Sequence, residues 1–224
     1  MDFCNQRHLS WQIKEFQEGY PHFRVKHEID CGLTLIGDFS FSAKLEGYQE
    51  ISDSYSIRCS IPARFPDKLP DVYEIGGRIS NDFHTFKGGS LCLGAPIRLK
   101  LILAEDPTLS GVFKNLILPY LYNHSYKEKF GDLPVGDLAH GASGLVYDYE
   151  KLFNVEGASA CLGMIKLLGL KRRVANKKPC PCGSGKRLGK CHNFILNSLR
   201  QKASCKYYKK QQRSFAQQLE QEGL

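Results

Sequence analysis

The chain has no apolar run long enough to cross a membrane, since the stretches 99–104 and 115–122 are short and interrupted. A spanning helix takes roughly 20 apolar residues. Its first residues, Met-Asp-Phe-Cys-Asn-Gln-Arg, lack a basic start followed by an apolar stretch. No secretion signal is expected from that pattern, and a cytosolic location is. There is no internal repeat and no low-complexity tract. A disulfide framework is also not expected. The nine cysteines are odd in number, and four of them crowd between Cys180 and Cys205 while Cys4, Cys31, Cys59, Cys92 and Cys161 are scattered. Such usage points to thiols and metal ligands. Acid is the scarcest commodity of residues 166–224, which hold 15 Lys and Arg against Glu220 and Glu222 alone. That part carries +13, whereas residues 1–165 carry −5. A domain border is expected near 166–178, read as a basic linker.

What is present suits a globular protein. The 224 residues, 42% hydrophobic and 24% charged, allow one sizeable domain and an appendage. Residues 10–23 read as a helix capped by Ser10, with Trp11, Phe16 and Tyr20 on its apolar side. Strand patterns follow at 25–29, 33–41 and 54–61, with Asp30-Cys31-Gly32 as a hairpin turn. A proline cluster fills 61–71, and 72–75 reads as a fourth short strand. Leu109, Val112, Phe113, Leu116, Ile117, Tyr120 and Leu121 recur at helical spacing, with a kink or early end expected at Pro119. Further helices are expected at 147–153, 158–170 and in the basic tail 193–224. The order is that of an α+β protein, an antiparallel meander flanked by helices.

Two segments carry chemistry. In Asp82-Phe-His-Thr-Phe-Lys-Gly-Gly-Ser-Leu-Cys-Leu-Gly94, Cys92 follows a Gly-Gly-Ser turn and lies eight residues after His84. Glycines let the backbone turn tightly and let another chain approach. A cysteine so placed suits a covalent intermediate, although a lone cysteine between leucines is more commonly packing. Cys180-Pro-Cys182-Gly-Ser-Gly-Lys-Arg-Leu-Gly-Lys-Cys191-His192 offers two pairs of soft ligands around a short Gly-rich loop. Four such ligands suit a tetrahedral, structural Zn²⁺ with no open position for water. So small a segment buries little, and the metal would supply much of its folding energy. His124 is expected at the surface, and Asp82, Glu105 and Asp106 are weaker candidates for a role beside Cys92, since acids in loops are usually solvated.

Cys-Pro-Cys-Gly-Ser-Gly-Lys and Lys-Cys-His in 179–192 closely resemble the SEC-C motif, named for the zinc module of the bacterial secretion ATPase. The resemblance implies a bacterial origin and a zinc-dependent docking element without catalysis. Residues 10–155 resemble a bacterial ubiquitin-conjugating-enzyme-like (UBC-fold) domain, of the kind found in CBASS-like antiphage systems. The matching residues are Ile61-Pro-Ala-Arg-Phe-Pro66, Leu69-Pro-Asp-Val72, His84, Gly89-Ser-Leu-Cys-Leu93, Gly131-Asp-Leu-Pro134 and His140-Gly141. The domains implied are a conjugating domain over 1–165 and the zinc module with its tail over 179–224.

What this second resemblance implies is an acyltransferase whose Cys92 takes a partner's C-terminal carboxyl as a thioester and passes it to a nucleophile, with His84 and His140 as assisting groups. The acyl donor would be a ubiquitin-like protein or the C-terminus of a cGAS-like nucleotidyltransferase, with or without a separate activating enzyme. The eukaryotic enzymes carry His-Pro-Asn before the cysteine, and the Asn helps hold the oxyanion; this chain has His84-Thr-Phe. Backbone N–H groups near Gly94, His84 or His140 remain as oxyanion donors. Two rivals stand beside the enzyme: an inactive UBC-fold scaffold, and an RNA-associated zinc protein resting on the basic tail. The +13 region attracts polyanions without specifying one.

Overall fold

The computed structural model describes residues 3–28, 32–134 and 141–224. It is an α+β protein. Helix α1 (Phe3–Gly19) precedes strands β1 (Arg24–His27), β2 (Leu33–Ala43), β3 (Ile51–Ile61) and β4 (Asp71–Glu74), which form one antiparallel sheet in sequence order. Helices α2 (Pro96–Glu105), α3 (Leu109–Val112) and α4 (Leu118–Phe130) follow, with a π turn (Phe113–Ile117) joining the last two. Helices α5 (Gly141–Phe153), α6 (Ala158–Leu168) and α7 (Arg172–Ala175) come next, and then a short 3-10 turn (Leu188–Lys190). Helices α8 (Asn193–Lys202) and α9 (Cys205–Glu222) end the chain.

Two compact units arise from these elements. One comprises Met1–Leu93 and Ile102–Asp137, the other Gly94–Leu101 and Leu138–Leu224. They do not follow the division expected from charge. Helices α5 and α6 pack with α9 in the second unit, because Tyr149, Phe153, Cys161, Met164 and Ile165 share one apolar cluster with Tyr208 and Phe215. The stretch read as a basic linker is also folded in. Ala175 is fully buried, and the carbonyls of Asn176 and Lys178 accept from Gly189 and Leu188.

The first unit is organised by alternation along β2 and β3, which pair from Leu33↔Ile61 to Ala43↔Ile51. Phe39, Tyr55 and Ile57 are turned inward. Ser40 and Ser42 face outward and reach Ser54 and Ser52 across the pair, at 3.0 and 2.8 Å. Period-two burial of this kind fixes the register, since a one-residue slip would expose the phenyl rings. Phe113 sits under the sheet with its ring centroid 4.8–5.7 Å from those of Phe16, Tyr20, Phe23 and Phe39. Offset and edge contacts among such rings add to their burial.

Three local expectations change. Helix α1 ends at Gly19, before Pro21, and Trp11 is 59% exposed while Phe16 is fully buried. The helical run does not end at Pro119. It passes through the π turn and continues to Phe130. Proline lacks the N–H that an interior turn needs, and it falls in the first turn after the π segment, where the bonding pattern is already shifted. His124 is buried rather than exposed, because α4 turns it toward β3, where Nδ1 lies 2.8 Å from the Tyr55 hydroxyl.

Candidate functional site

In the second unit, the spacing of the ligand segment becomes a knuckle. Pro179 and Arg187 form a bridge, and Cys180 N–H donates to the Lys186 carbonyl at 2.8 Å, closing the loop that carries Cys182. The 3-10 turn then delivers Cys191 and His192 beside it. Pro181 packs on α6 at Gly163, where an added Cβ would come within 2.8 Å of the proline ring. Glycine is what allows that approach.

The ligand atoms of Cys180, Cys182, Cys191 and His192 all lie within 4.8 Å of one another. Nδ1 of His192 is 3.2 Å from the sulfurs of both Cys180 and Cys191, and the Cys182 and Cys191 sulfurs are 3.5 Å apart. A tetrahedral ion with metal–sulfur bonds of about 2.3 Å sets ligand atoms roughly 3.8 Å apart. The cluster is of that size and can hold a metal ion. The far ring nitrogen, Nε2, lies 3.1 Å from the Asn154 carbonyl. A carbonyl there fixes the tautomer, placing the proton on Nε2 and the lone pair on Nδ1. Asn154 adopts a left-handed φ of 53° at the end of α5, and sequence reading missed it. Ser184 was missed too. Its hydroxyl lies 3.2 Å from the Cys182 sulfur and lowers that thiol's pKa to about 6, while burial pushes Cys180 up to about 11.

Cys92 belongs to the first unit. Leu91 is buried and its N–H donates to the Val72 carbonyl at 2.7 Å, extending the edge at β4. Cys92 N–H donates to the His84 carbonyl at 2.6 Å, and a tight turn at Phe86–Ser90 closes the flap. Gly89 carries a φ of 77° in that turn, a conformation glycine adopts without cost. His84 therefore lies across from Cys92 through the backbone, in a left-handed conformation of φ 41°. Left-handed backbone outside glycine is uncommon, and it recurs at functional sites. The Cys92 side chain is half-buried, unlike Cys59 and Cys161, whose thiols burial pushes upward, Cys161 to about 12. Cys205, outside the ligand cluster, is exposed.

Tyr120, assigned only to a helix face by the sequence, holds this flap from below. Its buried hydroxyl donates to the Phe83 carbonyl at 2.8 Å, with the His84 carbonyl at 3.3 Å. Burial raises its pKa, and the Cys92 sulfur's charge adds to that rise. Beside the flap, Arg78, Asp82, Phe83, His124 and Lys127 line an open recess of about 300 Å³. Arg78 is committed there to Asp53 at 2.8 Å and Glu128 at 2.6 Å, over the Tyr55 ring. Burial lowers the pKa of His124 in that wall. Asp106 accepts from the Thr108 hydroxyl at 2.7 Å, a local helix-start contact. His140 lies outside the described residues.

The knuckle thus brings its four expected ligands together, and the flap sets His84 and Cys92 next to the isolated Thr85–Leu91 bridge, joined by one backbone hydrogen bond. Among the described residues no helix is long and apolar enough to cross a membrane. No protein-family model and no curated protein matches the chain.

Proposed function

We propose that the chain is a ubiquitin-conjugating-like acyl carrier with a structural zinc knuckle. The Cys92 thiolate attacks the activated C-terminal carbonyl of a partner protein, and the activating group leaves with its electron pair. A nucleophile, most simply an amine, then attacks the thioester carbonyl. The Cys92 thiolate departs, an amide forms and the amine proton is lost to a base. A thioester is reactive enough to need orientation more than a full catalytic triad. The partners that suit the reading are a ubiquitin-like protein or a nucleotidyltransferase C-terminus, in bacterial antiphage defence within the cytoplasm.

One observation supports it most: the placement of Cys92. The thiol is half-buried on a Gly-turned flap that follows a four-stranded meander, pinned by the Leu91 and Cys92 backbone bonds and by the Tyr120 hydroxyl. A cysteine kept for packing would resemble Cys59, fully buried within β3. For the knuckle, three thiols and an imidazole with its second nitrogen on a carbonyl favour Zn²⁺ over harder ions. Residues Cys180, Cys182, Cys191 and His192 would hold it, and it would supply folding energy rather than chemistry.

The test is a substitution series in the full chain with the candidate partner and any activating protein. Wild type should give an adduct cleaved by reductant. Cys92→Ser should give one resistant to thiols, Cys92→Lys a still more stable amide, and Cys92→Ala none. An adduct that persists in Cys92→Ala would overturn the proposal.

A further inference from the structure

The second unit carries an arrangement of charge that its own fold does not use. On α9, Lys206, Lys210 and Arg213 are exposed and recur at i, i+4 and i+7, which puts them in one row along the helix. Like charges at this spacing repel. The helix dipole makes matters worse. Helix α9 has no acid in its first turn and no base in its last, while Glu220 and Glu222 lie near its C-terminus. Cations favour the other end of a helix.

A second cationic run adjoins the row. The first turn of α9 abuts the turn from α6 to α7, where the Cys205 sulfur lies 3.7 Å from the Leu170 carbonyl. The Lys209 stem covers Gly169 so closely that an added Cβ would meet its Cγ at 2.9 Å. That turn leads into Lys171, Arg172 and Arg173, all exposed. Arg200 lies beneath. Its guanidinium donates to the Leu167 carbonyl at 2.8 Å and to Asn197 at 3.1 Å, and its Nε is buried without a hydrogen-bond partner.

The exposed cations of both runs make no ion pair among the described residues. Three of this unit's five acids are spent elsewhere, Asp148 on Arg98, Glu150 on the Gly157 N–H and Glu222 on the Ala142 N–H, and neither Glu156 nor Glu220 forms an ion pair with the two runs among the described residues. A solvated helix face would interleave Glu with Lys.

We propose that this face binds a nucleic-acid strand through its phosphates. The inference is independent of the Cys92 reading. A strand presents negative charge at regular intervals, which suits a regular row of cations flanked by a second run. Protein interfaces centre on buried aromatic or aliphatic anchors. Across 171–174 and 205–213, Val174 is the one exposed large apolar side chain among the described residues. An acidic protein or a lipid surface would find little to bury there.

The experiment titrates metal-loaded full chain into a fluorescein-labelled single-stranded RNA of mixed sequence, about 20 nucleotides long, and follows anisotropy at several salt concentrations. Engagement of about five phosphates gives a log–log salt slope near −3.5, a loss of roughly 100-fold in affinity between 50 and 200 mM salt. Lys206→Glu/Lys210→Glu/Arg213→Glu should weaken binding at least 10-fold. Should that variant fail to retain metal, the Gln triple at the same positions replaces it, and its slope should fall by about 2. Lys14→Glu/Arg24→Glu, in the first unit, should change nothing. Single-stranded DNA of the same sequence should bind comparably, since the phosphates are shared. No binding at 50 mM salt, unchanged affinity in the row variants, or equal competition by polyglutamate would overturn the proposal.

Discussion

The Cys92 flap and the Cys180–His192 knuckle are built from similar parts and arrive at opposite situations. Each is a short glycine-turned loop that presents sulfur, and each is adjoined by one non-glycine residue in the left-handed region, His84 at the flap and Asn154 at the knuckle. In the knuckle, four ligand atoms converge to within 4.8 Å, an arrangement whose thiolates repel until a cation joins them. In the flap a single thiol stands among backbone bonds that are already complete. Convergence suits the knuckle's sulfurs to a metal ion, while the Cys92 thiol is half-buried and keeps part of its surface toward solvent.

The largest effect should come from breaking the knuckle. Cys191→Ser should lower metal content from about one ion per chain toward zero. Hydrogen exchange should then show loss of protection across 176–192, while β2 and β3 stay protected. Metal contributes much of the stability of small cysteine knuckles, roughly 10 kcal/mol or more of apparent binding free energy at neutral pH. An intact exchange pattern after metal loss would show that the apolar cluster of the second unit holds the loop alone.

Gly163→Ala comes next, because its Cβ would press on Pro181 at 2.8 Å between backbone-fixed parts. Overpacking of this kind costs about 1–3 kcal/mol. Chemical denaturation and a zinc competition assay with a chromophoric chelator should both register it. Tyr120→Phe should cost about 1–2 kcal/mol by leaving the buried Phe83 carbonyl without its donor. It should also loosen the flap, so that alkylation of Cys92 in a Cys205→Ser background changes rate while metal content does not. An unchanged rate would separate the tyrosine from the site.

A smaller effect concerns acid. The Arg78 guanidinium beside Asp53 holds that carboxyl well below its usual range, with Ser125 adding a hydrogen bond. A carboxyl whose folded pKa is depressed stabilises the fold fully above its unfolded value, about 3.9, and progressively less as pH falls toward the folded value. Arg78 is about a third exposed, so water screens part of the gain. Denaturation midpoints measured from pH 5 downward should fall less steeply in Asp53→Asn than in wild type.

Legibility followed sequence distance. The four clustered side chains of the knuckle could be read because they lie within thirteen consecutive residues. Strands β2 and β3 declared themselves through alternation of phenyl and seryl positions. Tyr120 could not be read, since its acceptors are contributed by residues 36 and 37 positions away. His124 was misjudged for the same reason: its hydroxyl neighbour, Tyr55, is 69 residues earlier. The division into units escaped the charge pattern because charge marks surfaces, whereas α5, α6 and α9 join through their apolar faces. Asn154 gave no signal at all, because its contribution is a backbone carbonyl.

The central claim, that Cys92 carries an acyl group, is tested most directly by intact mass under non-reducing conditions. Full chain, partner and any activating protein are mixed, quenched in acid and digested to locate the bond. The account predicts a species heavier by the partner's mass less one water, joined at Cys92 and released by hydroxylamine. A joined species located at the exposed Cys205, or none with partners that are demonstrably activated, would contradict it.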